Sequence, residues 1–477
     1  SLRFLVYNSL WGRSHTTFVG KLAEVLVEAG HEVVMLAPII DAKSTDVGTD
    51  KVKRVIFVPP SPGSMLFTET AHDSASSNFW RSKSVFGTLQ VKTNTYFVND
   101  FVFSATLNEP GLFEMLEKEK FDAAFSEPMD VCGYGIFHRI GVNKVATVVS
   151  VGAFEGTFEF TGLPSFPSYV PVANTMALGF GKIVFPMLKT GQEQLLQAHF
   201  GSEFPSIIDI MSDTSLWFIN AEPLIEFPRP VIHKVIDIGG ISVSTGHKQL
   251  NKTWSDILDL RPQSVLLSFG TVAKSFVMPD NYKETIREVF RKFPDVTFIW
   301  KYEEPAHKIS EGIPNLVETT WVPQNDMLYD SRLSLFITHC GQGSTTEATT
   351  AGIPLIVIPM FGDQKRNAAT GVVLEKESLE KPEILEDALR TVLGNEKYRT
   401  KAREVGEMIR NRPISPRETF VRNMEFLARF GPLRMLDHYG KNLNFVEYYL
   451  IDVFAFVSFI VLCLLVVFYK SIKFIIS

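Results

Sequence analysis

Cysteine is scarce, with three residues in a chain of 477. That excludes a disulfide-dense scaffold. Cys463 stands in an apolar run and Cys340 beside a glycine turn, which leaves Cys132 with no obvious partner, so no structural disulfide is expected. Excess positive charge is also missing: 47 Lys and Arg against 53 Asp and Glu give a net charge of −6, and nothing points to a nucleic-acid partner. No Asp-x-Asp pair occurs, so a metal held by such a pair is not suggested. Asn251-Lys252-Thr253 is the only N-x-S/T sequence, and it accepts a glycan only if that stretch is lumenal. Disorder is excluded as a general state by an apolar fraction of 45%. The length exceeds one ordinary core, so two domains with additions are expected.

What is present is a repeated alternation of short apolar runs with amphipathic stretches. Residues 2–7 read as a strand, 8–13 as a loop, and 15–29 as a helix with Ser14 as its N-cap and Phe18, Leu22, Val25 and Leu26 on one face. With a strand at 32–37 this makes a βαβ opening. Further strands are expected at 51–58, 121–127 and 144–149, with 236–241 closing the first half. Residues 60–110 differ in texture. Phe67, Phe79, Trp80, Phe86, Tyr96, Phe97, Phe101 and Phe103 read either as a small core under long loops or as an apolar binding pocket. Residues 173–188 are apolar but broken by glycines and Pro186, which suits a membrane-surface contact or a core loop. After a polar linker the pattern restarts, with strands at 264–269 and 296–300 and helices at 280–292, 382–393, 396–409 and 417–430.

Residues 453–469 are apolar and uncharged, at the lower length limit for a membrane span. Tyr448, Tyr449 and Tyr469 flank them and Lys470 and Lys473 follow, so a single-pass anchor is favoured over a buried core helix. The positive-inside rule then places the short tail in the cytosol and the rest on the lumenal side, a topology that requires a removed N-terminal signal.

One run organises the second half, 321–368: a strand at 333–338 ending on His339, then Gly341-Gln342-Gly343, a helix opened by Ser344, a stop at Gly352, a strand at 355–358, and the loop Phe361-Gly362-Asp363-Gln364. A strand, a glycine turn and a helix N-terminus together suit an anion such as a diphosphate, because unpaired amides and the helix dipole meet there. The residue order over this run resembles the signature of the UDP-glycosyltransferases, the animal UDP-glucuronosyltransferase type: W-x-P-Q at Trp321–Gln324, T-H-x-G at Thr338–Gly341, Glu347 in the next helix, and F-G-D-Q followed by Asn367. Gly12-Arg13-Ser14-His15 followed by Gly20-Lys21-Leu22-Ala23 resembles that family's catalytic-histidine region.

The resemblance implies a fold of two Rossmann-like α/β domains (GT-B) plus one C-terminal transmembrane helix. The expected boundaries are 1–242 for the acceptor-binding domain, 243–256 for the linker, 257–430 for the UDP-sugar-binding domain, 431–452 for a juxtamembrane segment, 453–469 for the span and 470–477 for a cytosolic tail. It implies His15 as the base and Glu127 as its carboxylate partner, where the vertebrate pattern has Asp; Asp122 and Asp130 are nearby substitutes. On the donor side Trp321 would stack on uracil, Gln324 pair with the base edge and Glu347 accept the ribose hydroxyls, unless Ser344–Glu347 is merely a capping box. Thr271, His339, Gly341, Gly343 and Ser344 would lie at the diphosphate, and Asp363 and Gln364 at the sugar hydroxyls.

No cofactor or metal is implied beyond the UDP-sugar co-substrate. A small lipophilic acceptor, the endoplasmic reticulum membrane and a homo-oligomer are the implied partners. UDP-glucuronate is the favoured donor and UDP-glucose the alternative. A non-catalytic UDP-sugar-binding membrane protein and a soluble epimerase on the same fold are the competing classes.

Overall fold

The chain is described by a computed structural model covering residues 1–10, 12–40, 45–63, 65, 76–81, 102–152, 181–243, 248–360 and 362–476. Its strands are short and nearly all apolar, as parallel strands covered on both faces must be. In the first half β1 is Arg3–Tyr7, β2 Glu32–Pro38, β3 Arg54–Val58, β4 Ala123–Ser126, β5 Val145–Val149, β6 Leu216–Ile219 and β7 Val235–Asp237. They form one parallel sheet in the order β3-β2-β1-β4-β5-β6-β7. In the second half β8 is Gln263–Ser268, β9 Val296–Lys301, β10 Leu316–Thr319, β11 Leu333–Thr338, β12 Leu355–Val357 and β13 Val372–Val373. Their order is β10-β9-β8-β11-β12-β13, again parallel. Two doubly wound α/β halves are therefore observed, as expected.

Each sheet reverses its winding once, between β1 and β4 in the first and between β8 and β11 in the second. Such a switch point opens a crevice at the carboxyl ends of the strands, because the two connections leave in opposite directions. Register brings those ends level, Tyr7 beside Ser126 and Ser268 beside Thr338.

Two helix starts differ from expectation. The opening helix is Arg13–Glu28 and its N-cap is Gly12, so Ser14 lies inside the helix and caps nothing. The helix after β11 is Gln342–Ala351 with Gly341 at its N-cap, so Ser344 does not open it. Both glycines occupy positions where chain direction changes sharply, and Gly12 has a positive φ of 59°, which favours glycine.

The expected boundary at residue 430 also differs. The helix Pro416–Phe430 returns to the first half, where Phe420, Met424 and Leu427 join Phe4, Leu22, Phe125 and Phe218 in one core. In the other direction, Trp80 belongs to the second core, edge-on to Phe269 and donating its indole N–H to the Lys274 carbonyl at 2.9 Å. Of the aromatic-rich stretch, Phe79, Trp80 and Phe103 are buried, whereas Phe67, Phe86, Tyr96, Phe97 and Phe101 lie outside the described residues. Residues 173–180 lie outside them too, and 181–188 begin the helix Gly181–Phe200.

The segment after residue 430 is clamped onto the first half. Ser215 Oγ accepts the Leu433 amide at 3.0 Å, and the buried Lys234 ammonium bridges Asp437 at 2.7 Å and the Ser212 carbonyl at 2.8 Å. Arg434 and Lys441 pair with Asp213. The helix Ile451–Ile476 comes next; it is long and apolar enough to cross a membrane, and none of its residues is buried.

Candidate active site

The first switch point holds His15 and Glu127. Glu127 is the residue after β4, and His15 lies in the first turn of the helix that follows β1. His15 Nδ1 stands 2.9 Å from Glu127 Oε2 and 2.8 Å from Ser150 Oγ. The Ser150 amide donates to Glu127 Oε1 at 2.9 Å, so one carboxylate is oriented through both oxygens. With Nδ1–H directed at the carboxylate, Nε2 is the basic nitrogen.

Burial by itself lowers the His15 pKa, but the Glu127 charge and hydrogen bond raise it, Asp363 adds to them, and the net shift is upward. A helix N-terminus alone would hold the ring neutral; the carboxylate at 2.9 Å outweighs it. Burial likewise works against the Glu127 carboxylate, yet His15 and Ser150 hold its pKa below the usual value. The substitutes are engaged elsewhere: Asp122 accepts the Arg3 amide at 2.7 Å, and Asp130 accepts the Tyr7 hydroxyl at 2.7 Å and the Cys132 amide at 3.0 Å. Tyr7, Asn8, Ser9, Ser126 and Asp130 line a small cavity that reaches His15 and Glu127.

The second switch point holds His339. A Cβ on Gly270 would sit 2.6 Å from its ring and one on Gly341 2.8 Å from it, so glycine is needed on both sides of this imidazole. Burial, with Lys301 as a neighbouring cation, pushes its pKa down to about 4. At neutral pH the ring is therefore uncharged and carries one N–H that can donate a hydrogen bond. Lys301 is itself buried and donates to the Gly270 carbonyl at 2.7 Å, with Glu303 at 3.0 Å. Thr271 stands at the exposed end of β8.

Trp321 is 53% exposed and carries the Arg13 guanidinium 4.8 Å above its ring, which excludes a core role. Gln324 Nε2 donates to Glu347 Oε2 at 2.7 Å and to Ser344 Oγ at 3.2 Å. Because the helix starts at Gln342, the Ser344–Glu347 stretch is not a capping box. Burial raises the Glu347 pKa and the Gln324 amide partly offsets this. Gly343 borders open space. Asp363 Oδ2 accepts the Gln342 amide at 3.1 Å and Asn367 Nδ2 at 2.8 Å, so this carboxylate sits at the N-terminus of the same helix, with its pKa raised by burial. Gln364 Oε1 accepts the Met360 amide at 2.9 Å and braces the loop.

Several groups that join the halves escape a reading by motif. Gln342 Nε2 donates to the Asn220 carbonyl at 2.7 Å, Arg366 pairs with Glu226, and Arg412 pairs with Glu222 at 2.8 Å. Ser150 and Lys301 were equally hidden. Ser150 ends a strand run, where a polar residue after an apolar stretch was the one available cue.

The sequence pattern of the family described as UDP-glucoronosyl and UDP-glucosyl transferase matches residues 10–477. The chain belongs to that family. This transferase is 26% identical over 497 aligned positions to the putative UDP-glucuronosyltransferase ugt-47 of Caenorhabditis briggsae, across 98% of this chain and 92% of the relative. It is 28% identical over 485 positions to UDP-glucuronosyltransferase 1A8 of Rattus norvegicus, across 96% and 89%. Among solved structures it resembles Phytolacca americana UGT2 complexed with UDP-2fluoro-glucose and pterostilbene, with a TM-score of 0.58 and 16% identity over 90% of this chain and 100% of that one. The transferase is a UDP-glycosyltransferase with the GT-B fold, an enzyme that moves sugar from a UDP-sugar donor.

Proposed function

We propose that the transferase is a single-pass protein of the endoplasmic reticulum membrane whose lumenal halves carry out inverting transfer of glucuronate to a hydroxyl of a small lipophilic acceptor. His15 Nε2 takes the acceptor proton, and Glu127 holds the ring and stabilises the imidazolium that forms. The acceptor oxygen bonds to the anomeric carbon of the UDP-α-sugar from the face opposite UDP. The bond from that carbon to the diphosphate oxygen breaks, giving a β-glycoside and UDP. The neutral His339 ring and the amides at the start of the helix Gln342–Ala351 meet the diphosphate with no metal required. Asp363 and Gln364 hold the sugar, Trp321 and Gln324 the uracil, and Glu347 the ribose.

The observation that carries this reading is the partly buried His15–Glu127 pair at 2.9 Å, with the Asp363 charge acting on the same imidazole from the other half. The names of the worm and rat relatives favour glucuronate. UDP-glucose is the second reading: the plant neighbour holds UDP-2fluoro-glucose, and of the two basic residues that follow the Asp363–Gln364 loop, Arg366 pairs with Glu226 while Lys365 is exposed. The test is UDP release by detergent-solubilised protein with a phenolic acceptor, comparing the two donors. Faster turnover with UDP-glucuronate supports the first reading and faster turnover with UDP-glucose the second. No release with any acceptor panel overturns both.

A further inference from the structure

Outside the C-terminal helix, the most exposed large apolar side chains among the described residues fall in one short stretch: Met435 at 77%, Tyr439 at 74% and Phe430 at 64%. Phe426 joins them one helical turn before Phe430, the two rings 5.0 Å apart. Phe426 and Phe430 lie on the flank of the helix Pro416–Phe430 turned away from Phe420, Met424 and Leu427, which are buried in the first core, and Met435 and Tyr439 follow in the segment after it. The stretch is not a loose tether. Lys234, Asp213 and Ser215 of the first half clamp Asp437, Arg434, Lys441 and Leu433, so these apolar groups are presented outward from a fixed base.

The nearby C-terminal helix indicates which environment covers such a face. Ile451–Ile476 begins twelve residues after Tyr439, so even a fully extended connection reaches only about 40 Å, roughly one bilayer thickness. Arg429 is exposed in the same stretch, whereas Arg422 pairs with Glu418 and Arg434 with Asp213, and a basic residue beside large apolar ones suits an anionic lipid surface.

We propose that Phe426, Phe430, Met435 and Tyr439 form a second membrane contact, seated in the interfacial layer of the leaflet through which the C-terminal helix enters, with Arg429 at the level of anionic headgroups. The contact holds the first half against lipid while the second half stays in water. It rests on the reading of Ile451–Ile476 as a membrane span.

The test uses full-length protein in phosphatidylcholine vesicles doped with phosphatidylserine, with one nitroxide label per sample. Native Cys463 is the exposed thiol, Cys132 and Cys340 being buried, so labelled wild type reports the anchor and F430C/C463S reports the patch. M435C/C463S serves as a second probe should F430C/C463S lose UDP release. The expected result is relaxation by oxygen in excess of relaxation by a soluble nickel chelate at both 463 and 430, with L260C/C463S in the second half showing the reverse. Oxygen dominance at 463 with nickel dominance at 430 and 435 overturns the second contact and leaves the anchor standing. A label at 430 shielded from both relaxants marks a protein interface and also overturns the proposal. Nickel dominance at 463 as well overturns the anchor reading beneath it.

Discussion

Each half of the transferase places a histidine beside its switch point, and the two rings have opposite fates. His15 has a carboxylate at 2.9 Å and its pKa rises. His339 has two glycine loops against its faces and a buried ammonium nearby, and its pKa falls to about 4. Strand ends and helix starts position both, so topology does not distinguish them. The charge supplied by the neighbouring strand does: Glu127 stands just past β4 beside β1, and Lys301 ends β9 on the far side of β8. Burial lowers the pKa of both rings; the Glu127 carboxylate reverses that shift at His15, and Lys301 adds to it at His339.

The comparison is broken most completely by His15→Ala. Turnover should fall by ~10³-fold, within the range for loss of a general base, while UDP affinity measured by calorimetry is unchanged. Unchanged turnover would place the base elsewhere.

Glu127→Gln should lower kcat by ~10²-fold and move the acid limb of the kcat/KM profile to lower pH. The sign comes from the pairing. The carboxylate stabilises the imidazolium and raises the pKa above the ordinary value of ~6.5, so activity in the wild type is lost as pH falls through that raised value. A limb that stays in place on removing the charge would mean that Glu127 does not set it.

Lys301→Met should let the His339 pKa climb from about 4 towards the ordinary range, visible in the pH titration of its ring resonances. The donor KM should rise ~10-fold, because the Gly270 loop loses its tie as well. Trp321→Ala should have the smallest effect, weakening UDP ~5–10-fold by removing a stacking surface, with kcat nearly unchanged.

How much of this was legible in the sequence depends on the range over which a feature is built. β11 falls at residues 333–338 as its unbroken apolar run predicts, because a buried parallel strand is specified by its own side chains. The His15–Glu127 pair was legible because Gly12–His15 resembles the family's catalytic-histidine region and Glu127 closes an apolar strand run. Ser14 and Ser344 misled as helix caps, since glycines two or three residues earlier already turn the chain. Lys301 lies just past the strand expected at 296–300, and its nearness to His339 arises only when β9, β8 and β11 lie side by side. The return of Pro416–Phe430 to the first core was invisible for a similar reason. An amphipathic pattern reveals that a helix has a face to bury and is silent on which sheet receives it.

That return has a consequence for modularity. The chain has entered the second half by the helix Lys252–Leu258, whose Leu258 joins a core there, and it crosses back between Arg410 and Pro416, where Arg412 donates to the Gly239 carbonyl of the first half at 3.0 Å. A polypeptide ending at residue 242 would leave Leu22, Phe125 and Phe218 without the Phe420, Met424 and Leu427 side chains that cover them. The first half is therefore a two-piece product, 1–242 with 416–442, and a chimera that exchanges halves between relatives needs two junctions. Exchange at the linker alone would graft a borrowed helix onto a foreign sheet.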